Sequence, residues 1–392
     1  MTVGAAAALM MSVQAAQAQL IISEFRVRGP NGANDEFIEL YNNSGADHTV
    51  AGAGLGYAVV ASDGSPRCQI SNGTIIPNRG HFLCTNTVAY SLAGNATADS
   101  TYSTDIPDNA GIALFDSTNV VDFVLANRLD AVGSTSEANT LYKEGAGYPA
   151  LTPFSIDYAF HRDECGKAGS ITTMGPCSTS TPIDTNNNAV DFIFVDTNGT
   201  SAGAGQRLGA PGPQNLSSPI QRNVSIATTL LDATVATSAS PNRARDFTSD
   251  PGNNSTFGTL DLRRRFVNNT GASVTRLRFR IIDLTTFPAP GGIADLRPRT
   301  SGSVVVAGIN DAGTCTATGA PATPPCTATV QATTLEQPPS QPNGSGFNGS
   351  LSAGTVTLGT PLANGASINL HFLNGIQQTG TFKLYLNIEA LP

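Results

Sequence analysis

The chain has 392 residues and a net formal charge of −8; 40% of its residues are hydrophobic, 13% are charged and none is Trp. Soluble domains average ~25% charged residues, so the polarity here rests on Ser, Thr, Asn and 40 Gly. This excludes an all-helical protein, which needs periodic Leu, Glu, Lys and Ala, and argues against disorder over most of the chain, because apolar runs recur and the net charge is small.

Residues 4–13 (GAAAALMMSV) form an apolar run, followed by Ala16-Gln17-Ala18, a small-x-small cleavage pattern. The run is too short for a membrane span, which takes ~20 residues. Residues 1–18 therefore read as a signal peptide, and the protein as secreted. From 20 to 124 strand signals follow one another: LIISEFRV, EFIELYN, GYAVVAS, GHFLCTN, GIALFD and VVDFVL, divided by polar turns. Their spacing predicts a β-sandwich rather than β-α-β units. In EFIELYN both faces mix apolar residues with a carboxylate. A buried Glu39 needs donors, such as backbone N–H groups of a neighbouring loop; the sharper alternative is a catalytic or metal-ligating acid. The stretch 127–207 reads as a loop-rich insertion with strands at 157–162 and 190–195. The first domain spans 19–210, and the Pro- and Gly-rich residues 211–222 read as a linker.

From 223 to 392 the pattern restarts, with strands expected at 224–237, 258–266, 274–284, 302–309, 345–359, 367–373 and 381–391. In the last, Phe382, Leu384, Leu386 and Ile388 share one face, which predicts a strand buried on one side of a second sandwich. The Pro-rich region 313–347 reads as a long exposed loop. The fold class is all-β: two β-sandwich domains, each with its own strand set, so each is expected to fold alone.

The six cysteines fall into adjacent pairs, Cys68 with Cys84, Cys165 with Cys177 and Cys315 with Cys326, separated by 16, 12 and 11 residues. Adjacency and secretion favour three loop-stapling disulfides among the 15 possible connectivities. No CxxC occurs and the four His are scattered, against a zinc site. Residues 19–219 hold 9 Lys and Arg against 20 Asp and Glu, and residues 220–392 hold 12 against 9. An acidic first half argues against a nucleic-acid partner.

The runs Ile21-Ile22-Ser23-Glu24-Phe25 and Asn34-Asp35-Glu36-Phe37-Ile38-Glu39-Leu40-Tyr41-Asn42 resemble the opening of the lamin-tail domain of secreted bacterial proteins. Ile76-Pro77, Gly80-His81-Phe82-Leu83, Gly111-Ile112-Ala113-Leu114, Val120-Val121-Asp122 and the closing Leu208-Gly209-Ala210-Pro211-Gly212-Pro213 extend the likeness over about 19–219. Where the family often carries Gly-Trp, this chain has Gly56-Tyr57. The resemblance implies an immunoglobulin-like first sandwich that acts as a non-catalytic interaction or anchoring module.

The motifs of common enzymes are missing: no GxSxG, HExxH, Walker A or GxGxxG occurs. The best metal candidate is a calcium loop with Asp184, Asn186, Asn188 and Asp191 as oxygen ligands, although Ala189 stands where an EF-type loop has Gly. The sharpest feature of the second domain is an arginine stripe. Arg263 and Arg265 share one face of a strand, and Arg276, Arg278 and Arg280 share one face of the next. If Asn268–Gly271 is a hairpin turn, the five guanidinium groups are co-facial and suit an acidic glycan, phosphate or protein surface. The expectation is a secreted, non-catalytic protein that contacts a protein or cell-surface polymer, without nucleic acid or a membrane span. The alternatives are a self-assembling subunit, built by exchange of the terminal strand, and a hydrolase with an unrecognised site.

Overall fold

The computed structural model describes residues 20–152, 156–164, 181–199, 207–336 and 341–392. The expected signal peptide lies outside them. The expected disulfide between Cys165 and Cys177 is not among those described, because Cys165 and Cys177 both lie outside the described residues. Four sheets stack face to face. Sheet 1 has the strand order Arg128–Val132, Ile112–Phe115, Gly56–Ala61, Pro66–Ser71. Sheet 2 has six strands: Phe192–Asp196, Tyr158–Arg162, Leu20–Arg26, Phe37–Asn42, His81–Asn86 and Ser100–Tyr102. Sheet 3 orders Ile220–Gln221, Leu384–Leu391, Arg276–Leu284, Ser350–Ser352 and Thr334–Leu335. Sheet 4 orders Ile226–Leu230, Thr259–Asn268, Ser367–Gln378 and Asp295–Arg299, and Arg243–Asp246 also pairs with Thr259–Asn268.

Alternation along each strand sorts side chains into layers. Ile22, Phe25, Ile38, Leu40, Phe160 and Phe194 of sheet 2 meet Val59, Ile70, Ile112 and Leu114 of sheet 1. The disulfide Cys68–Cys84 joins these two sheets rather than stapling a loop. Leu277, Phe279 and Ile388 of sheet 3 meet Leu260, Phe266 and Phe372 of sheet 4. The region expected as a long exposed loop, 313–347, supplies Gly319–Ala320 and Cys326–Val330 to a small three-stranded sheet with Val304–Ile309, whose core holds Val306, Ile309 and Val330. The helix Ala312–Thr318 and the Cys315–Cys326 disulfide belong to it.

Two turns do the same job in the two halves. Asn42-Asn43-Ser44-Gly45-Ala46 leads from sheet 2 towards sheet 1, and Asn268-Asn269-Thr270-Gly271-Ala272 leads from sheet 4 to sheet 3. Asn42 Nδ2 donates to the carbonyls of Ala46 and Ile76, each at 2.8 Å, and its Oδ1 accepts from Ser44. Asn268 Nδ2 donates to the carbonyls of Ala272 and Leu362, also at 2.8 Å, and its Oδ1 accepts from Thr270. Gly45 and Gly271 have φ of 84° and 87°, a conformation that favours glycine. The second turn is thus a corner between sheets and not the hairpin expected. Thr259–Asn268 pairs with Ser367–Gln378, and Arg276–Leu284 pairs with Leu384–Leu391.

The linker is not a hinge. Residues 207–215 are buried. Gly212 N donates to Glu24, Gln214 N to Glu39, and Leu216 N to Asp99. One apolar cluster runs from Phe37, Leu83, Ile193 and Val195 of the first half to Phe347 and Phe279 of the second. The terminal strand Leu384–Leu391 pairs with Arg276–Leu284 along its length and with Ile220–Gln221 at Glu389 and Ala390. Sheet 2 is buried on both faces, so its packing ties the two expected halves to each other. Residues 19–219 expressed alone should aggregate or show no cooperative melt, and the full chain should unfold in one calorimetric transition. A soluble first half that melts cooperatively would contradict this packing.

Candidate functional site

The residues with the most chemistry meet where sheet 2 packs on sheet 3. A bulge between Ile22 and Glu24 sets Glu24 opposite Glu39 on the neighbouring strand. With Tyr41, His81 and His161, these side chains leave sheet 2 on the side away from sheet 1. Opposite them stand Arg280, Asn387 and Glu389 of sheet 3. Like charges directly across a strand pair repel, so each glutamate needs its own partners. Glu24 accepts from Gly212 N at 2.9 Å, and Glu39 accepts from Gln214 N at 2.6 Å and from Ser23 Oγ at 2.5 Å. Arg280 Nε donates to Glu389 at 2.8 Å, and its Nη1 donates to the Asn348 carbonyl and side-chain oxygens at 3.0 and 2.8 Å. Arg278 Nε donates to the other Glu389 oxygen at 2.5 Å.

The space between these side chains is about 40 Å³. A buried water needs ~10–15 Å³ of such space, so a few waters fit and a sugar ring does not. His81 Nδ1 and His161 Nε2 are buried without a hydrogen-bond partner.

Protonation follows from this packing. Burial, with Glu24 adding, pushes the Glu39 carboxyl well above its ordinary range. Burial also raises Glu24, against the pull of Arg280 and the Gly212 N–H. Glu164 is pushed up to about 8 by burial and by Glu389. Glu389 goes the other way: burial pushes it up, but Arg278 and Arg280 together outweigh burial and hold it low. Burial drives His161 down to about 3 and His81 well below its ordinary value, with Arg280 adding at both. The seam thus combines carboxyls that burial makes easier to protonate and imidazoles that burial holds towards the neutral form, around an Arg278–Glu389–Arg280 ion-pair core.

The predicted calcium loop is committed elsewhere. Asn188 Oδ1 accepts from the N–H groups of Gly133 and Glu144, each at 3.0 Å, and its Nδ2 donates to the Ala131 carbonyl. Asp191 accepts from Thr185 N and Oγ1 and pairs with Arg162. Asp184 also faces Arg162, at 3.4 Å, while Asn186 is exposed at a positive φ of 57°. These bonds leave the loop without the open oxygen set that calcium needs. Among the described residues one group of carboxylates, Asp130, Glu144 and Asp184, comes within metal-binding distance. The buried Arg162 guanidinium already answers it, with Nη2 2.8 Å from both Asp130 oxygens.

The arginine stripe is divided between two sheets. Arg263 and Arg265 lie on sheet 4 with Asp261, and Arg263 pairs with Asp261 at 2.8 Å. Arg278 and Arg280 lie on sheet 3, buried in the seam, and Arg276 is 42% exposed beside Glu336. The five groups are therefore not co-facial, and two of them share Glu389 as an ion-pair partner. Of the six cysteines expected in disulfides, Cys68, Cys84, Cys315 and Cys326 are paired as expected. Cys165 and Cys177 fall outside the described residues, so the expected third pair has no counterpart among the described disulfides. Sequence reading missed the seam residues Glu24, His81, His161 and Glu389. The signal was present in EFIELYN, which places polar residues on both faces of its strand, and in the Asn387/Glu389 face of the last strand.

Compared with models of known families, with curated proteins and with solved structures, the chain matches none.

The seam sets the pH dependence. The unfolded chain protonates its histidines near 6.5 and its glutamates near 4.5. Below about 6.5 the unfolded chain takes up protons that native His81 and His161 refuse, so stability falls with pH; Glu389, held low, adds to the acid loss. Above about 4.5 native Glu24, Glu39 and Glu164 keep protons that the unfolded chain releases, so stability falls as pH rises. Thermal melts should peak between about 4.5 and 6.5, and His161→Gln should flatten the acid limb. A maximum at or above pH 8, where Glu164 ionises, would contradict this account.

Arg280 and Arg276 provide a matched pair in one strand. Removing one partner of a buried ion pair costs about 3–5 kcal/mol, and an exposed pair contributes about 0–1 kcal/mol. Denaturant unfolding of Arg280→Met and Arg276→Met should show that contrast; equal effects would mean that the seam carries no special weight.

Proposed function

We propose that this chain is a secreted, non-catalytic interaction protein, with a lamin-tail-like first half, that presents a stiff stack of sheets to a protein or polymer at the cell surface or in the matrix. The observation that carries this reading is the segment 119–127. VVDFVL, expected as a strand, forms two 3₁₀ turns, Val120–Asp122 and Leu125–Asn127. Asp122 holds them: its carboxylate accepts from Ser117 Oγ at 2.6 Å and from Asn119 Nδ2 at 3.0 Å. Phe123 anchors the segment against Phe115 in a small core on the outer side of sheet 1. Val120, Val121, Val124 and Leu125 are left outside, at 68%, 85%, 46% and 67% exposure. Scattered apolar residues on a surface are ordinary, but four within six positions on a braced turn form a contact patch.

Two further features support the reading. The disulfides Cys68–Cys84 and Cys315–Cys326 fit an oxidising compartment, and among the described residues no helix is long and apolar enough to cross a membrane. The seam carboxyl groups of Glu24, Glu39 and Glu389 are held in hydrogen bonds and ion pairs.

The test is retention of purified, labelled protein on the producing cells and on their shed matrix. Val121→Asp/Leu125→Asp should lose most of that retention while its melting temperature stays within a few degrees of the parent. Unchanged retention sinks the proposal. Light scattering distinguishes the alternative: if the parent is an oligomer and the variant a monomer, the patch serves self-association.

A further inference from the structure

The core of the second sandwich is open at one end, and arginines stand where a core would continue. Arg243–Asp246 pairs with Thr259–Asn268 so that Arg243 faces Leu262 and Arg245 faces Leu260. Residues opposed in a strand pair share a face, and Leu260 belongs to the core. Arg243 and Arg245 therefore flank the apolar side of sheet 4. Beside them is a cleft of about 230 Å³, lined by Leu260, Ala294, Leu296, Ile376 and Phe382.

The two arginines are prepared differently. Arg245 is held by three backbone carbonyls, those of Asp246, Thr259 and Phe257, at 2.6 to 2.8 Å. Its guanidinium lies 4.6 Å from the ring of Phe247, which is 79% exposed. Arg243 is half-buried and forms no side-chain hydrogen bond or ion pair among the described residues. Burial lowers the Arg245 pKa; Asp246 opposes this and the like charge of Arg243 adds to it. An anion between the two would relieve that repulsion.

We propose that this cleft binds a small anionic amphiphile, a medium-chain alkyl carboxylate, with its chain among Leu260, Leu296 and Ile376 and its headgroup on Arg243. The size fits: an apolar cavity of ~150 Å³ takes up benzene, and this cleft is larger. The charge fits as well, because an alkyl chain alone would leave the Arg243 guanidinium unanswered, and a cationic head would add to the repulsion between Arg243 and Arg245. The site is separate from the exposed turns at 119–127 and does not depend on their role.

The experiment is calorimetric titration of the full chain with octanoate, and with octan-1-ol and octylamine as controls. Octanoate should bind at one saturable site. Octanol and the Arg243→Gln variant should each cost ~10-fold or more, the scale of a lost charged hydrogen bond. Thr379 is exposed at the cleft wall, so Thr379→Trp should block the site without entering the core. The proposal fails if octanoate shows no saturable binding, if octylamine binds as tightly, or if Thr379→Trp binds octanoate like the parent. Should Arg243→Gln fail to fold, the headgroup comparison and Thr379→Trp decide between these outcomes.

Discussion

Sheet 2 has no free face, and the rest of the architecture depends on that constraint. Its strands Leu20–Arg26, Phe37–Asn42, His81–Asn86, Tyr158–Arg162 and Phe192–Asp196 are buried at every position. Antiparallel sheets usually keep one face in water. Here the polar face is covered by sheet 3, and every charge on it has to be neutralised or hydrogen-bonded. Arg280 stands at the centre, bonded to Glu389 and facing Glu24 and Glu39. A buried ion pair adds little net stability, but an uncompensated charge is costly. A different docking of the halves would leave these charges buried without partners.

Buried polar side chains also shape the places where the backbone leaves a sheet. Asn42 and Asn268 each spend their whole amide on turn carbonyls and N–H groups as the chain crosses between layers. Glu24 and Glu39 do the same for the linker, whose Gly212 and Gln214 N–H groups would otherwise lie buried and unpaired. Arg162 gathers Asp130, Asp184 and Asp191 at the end of sheet 2 next to sheet 1. An orphaned buried donor costs about 1–3 kcal/mol, which explains why so many charged residues of a low-charge chain are found inside it.

The two proposed contact sites lie on the surface and at the open end of the core. The aliphatic turns on sheet 1 and the arginine-lined cleft beside sheet 4 belong to different sandwiches, each braced by the layers behind it. Stiffness matters to both, because a contact patch or cleft that is already ordered loses less entropy on binding than a mobile one.

The all-β class, most strand positions and the Cys68–Cys84 and Cys315–Cys326 pairs were legible in the sequence. They rest on local properties: period-two alternation, turn residues and short separations. The repeat of Asn-Asn-Ser/Thr-Gly-Ala was legible too, but a turn motif does not say whether the next strand returns beside its neighbour or crosses to another sheet. That choice separated Arg263 and Arg265 from Arg276, Arg278 and Arg280, and it was made by the pairing of Thr259–Asn268 with a strand about a hundred residues on. The seam was illegible for the same reason. Alternation in EFIELYN marks two faces, and a polar face reads as solvated until something is seen to cover it. Whether Glu24, Glu39 and His161 meet water or Arg280 depends on the docking of two distant segments, and long-range packing of that kind leaves no period in the chain.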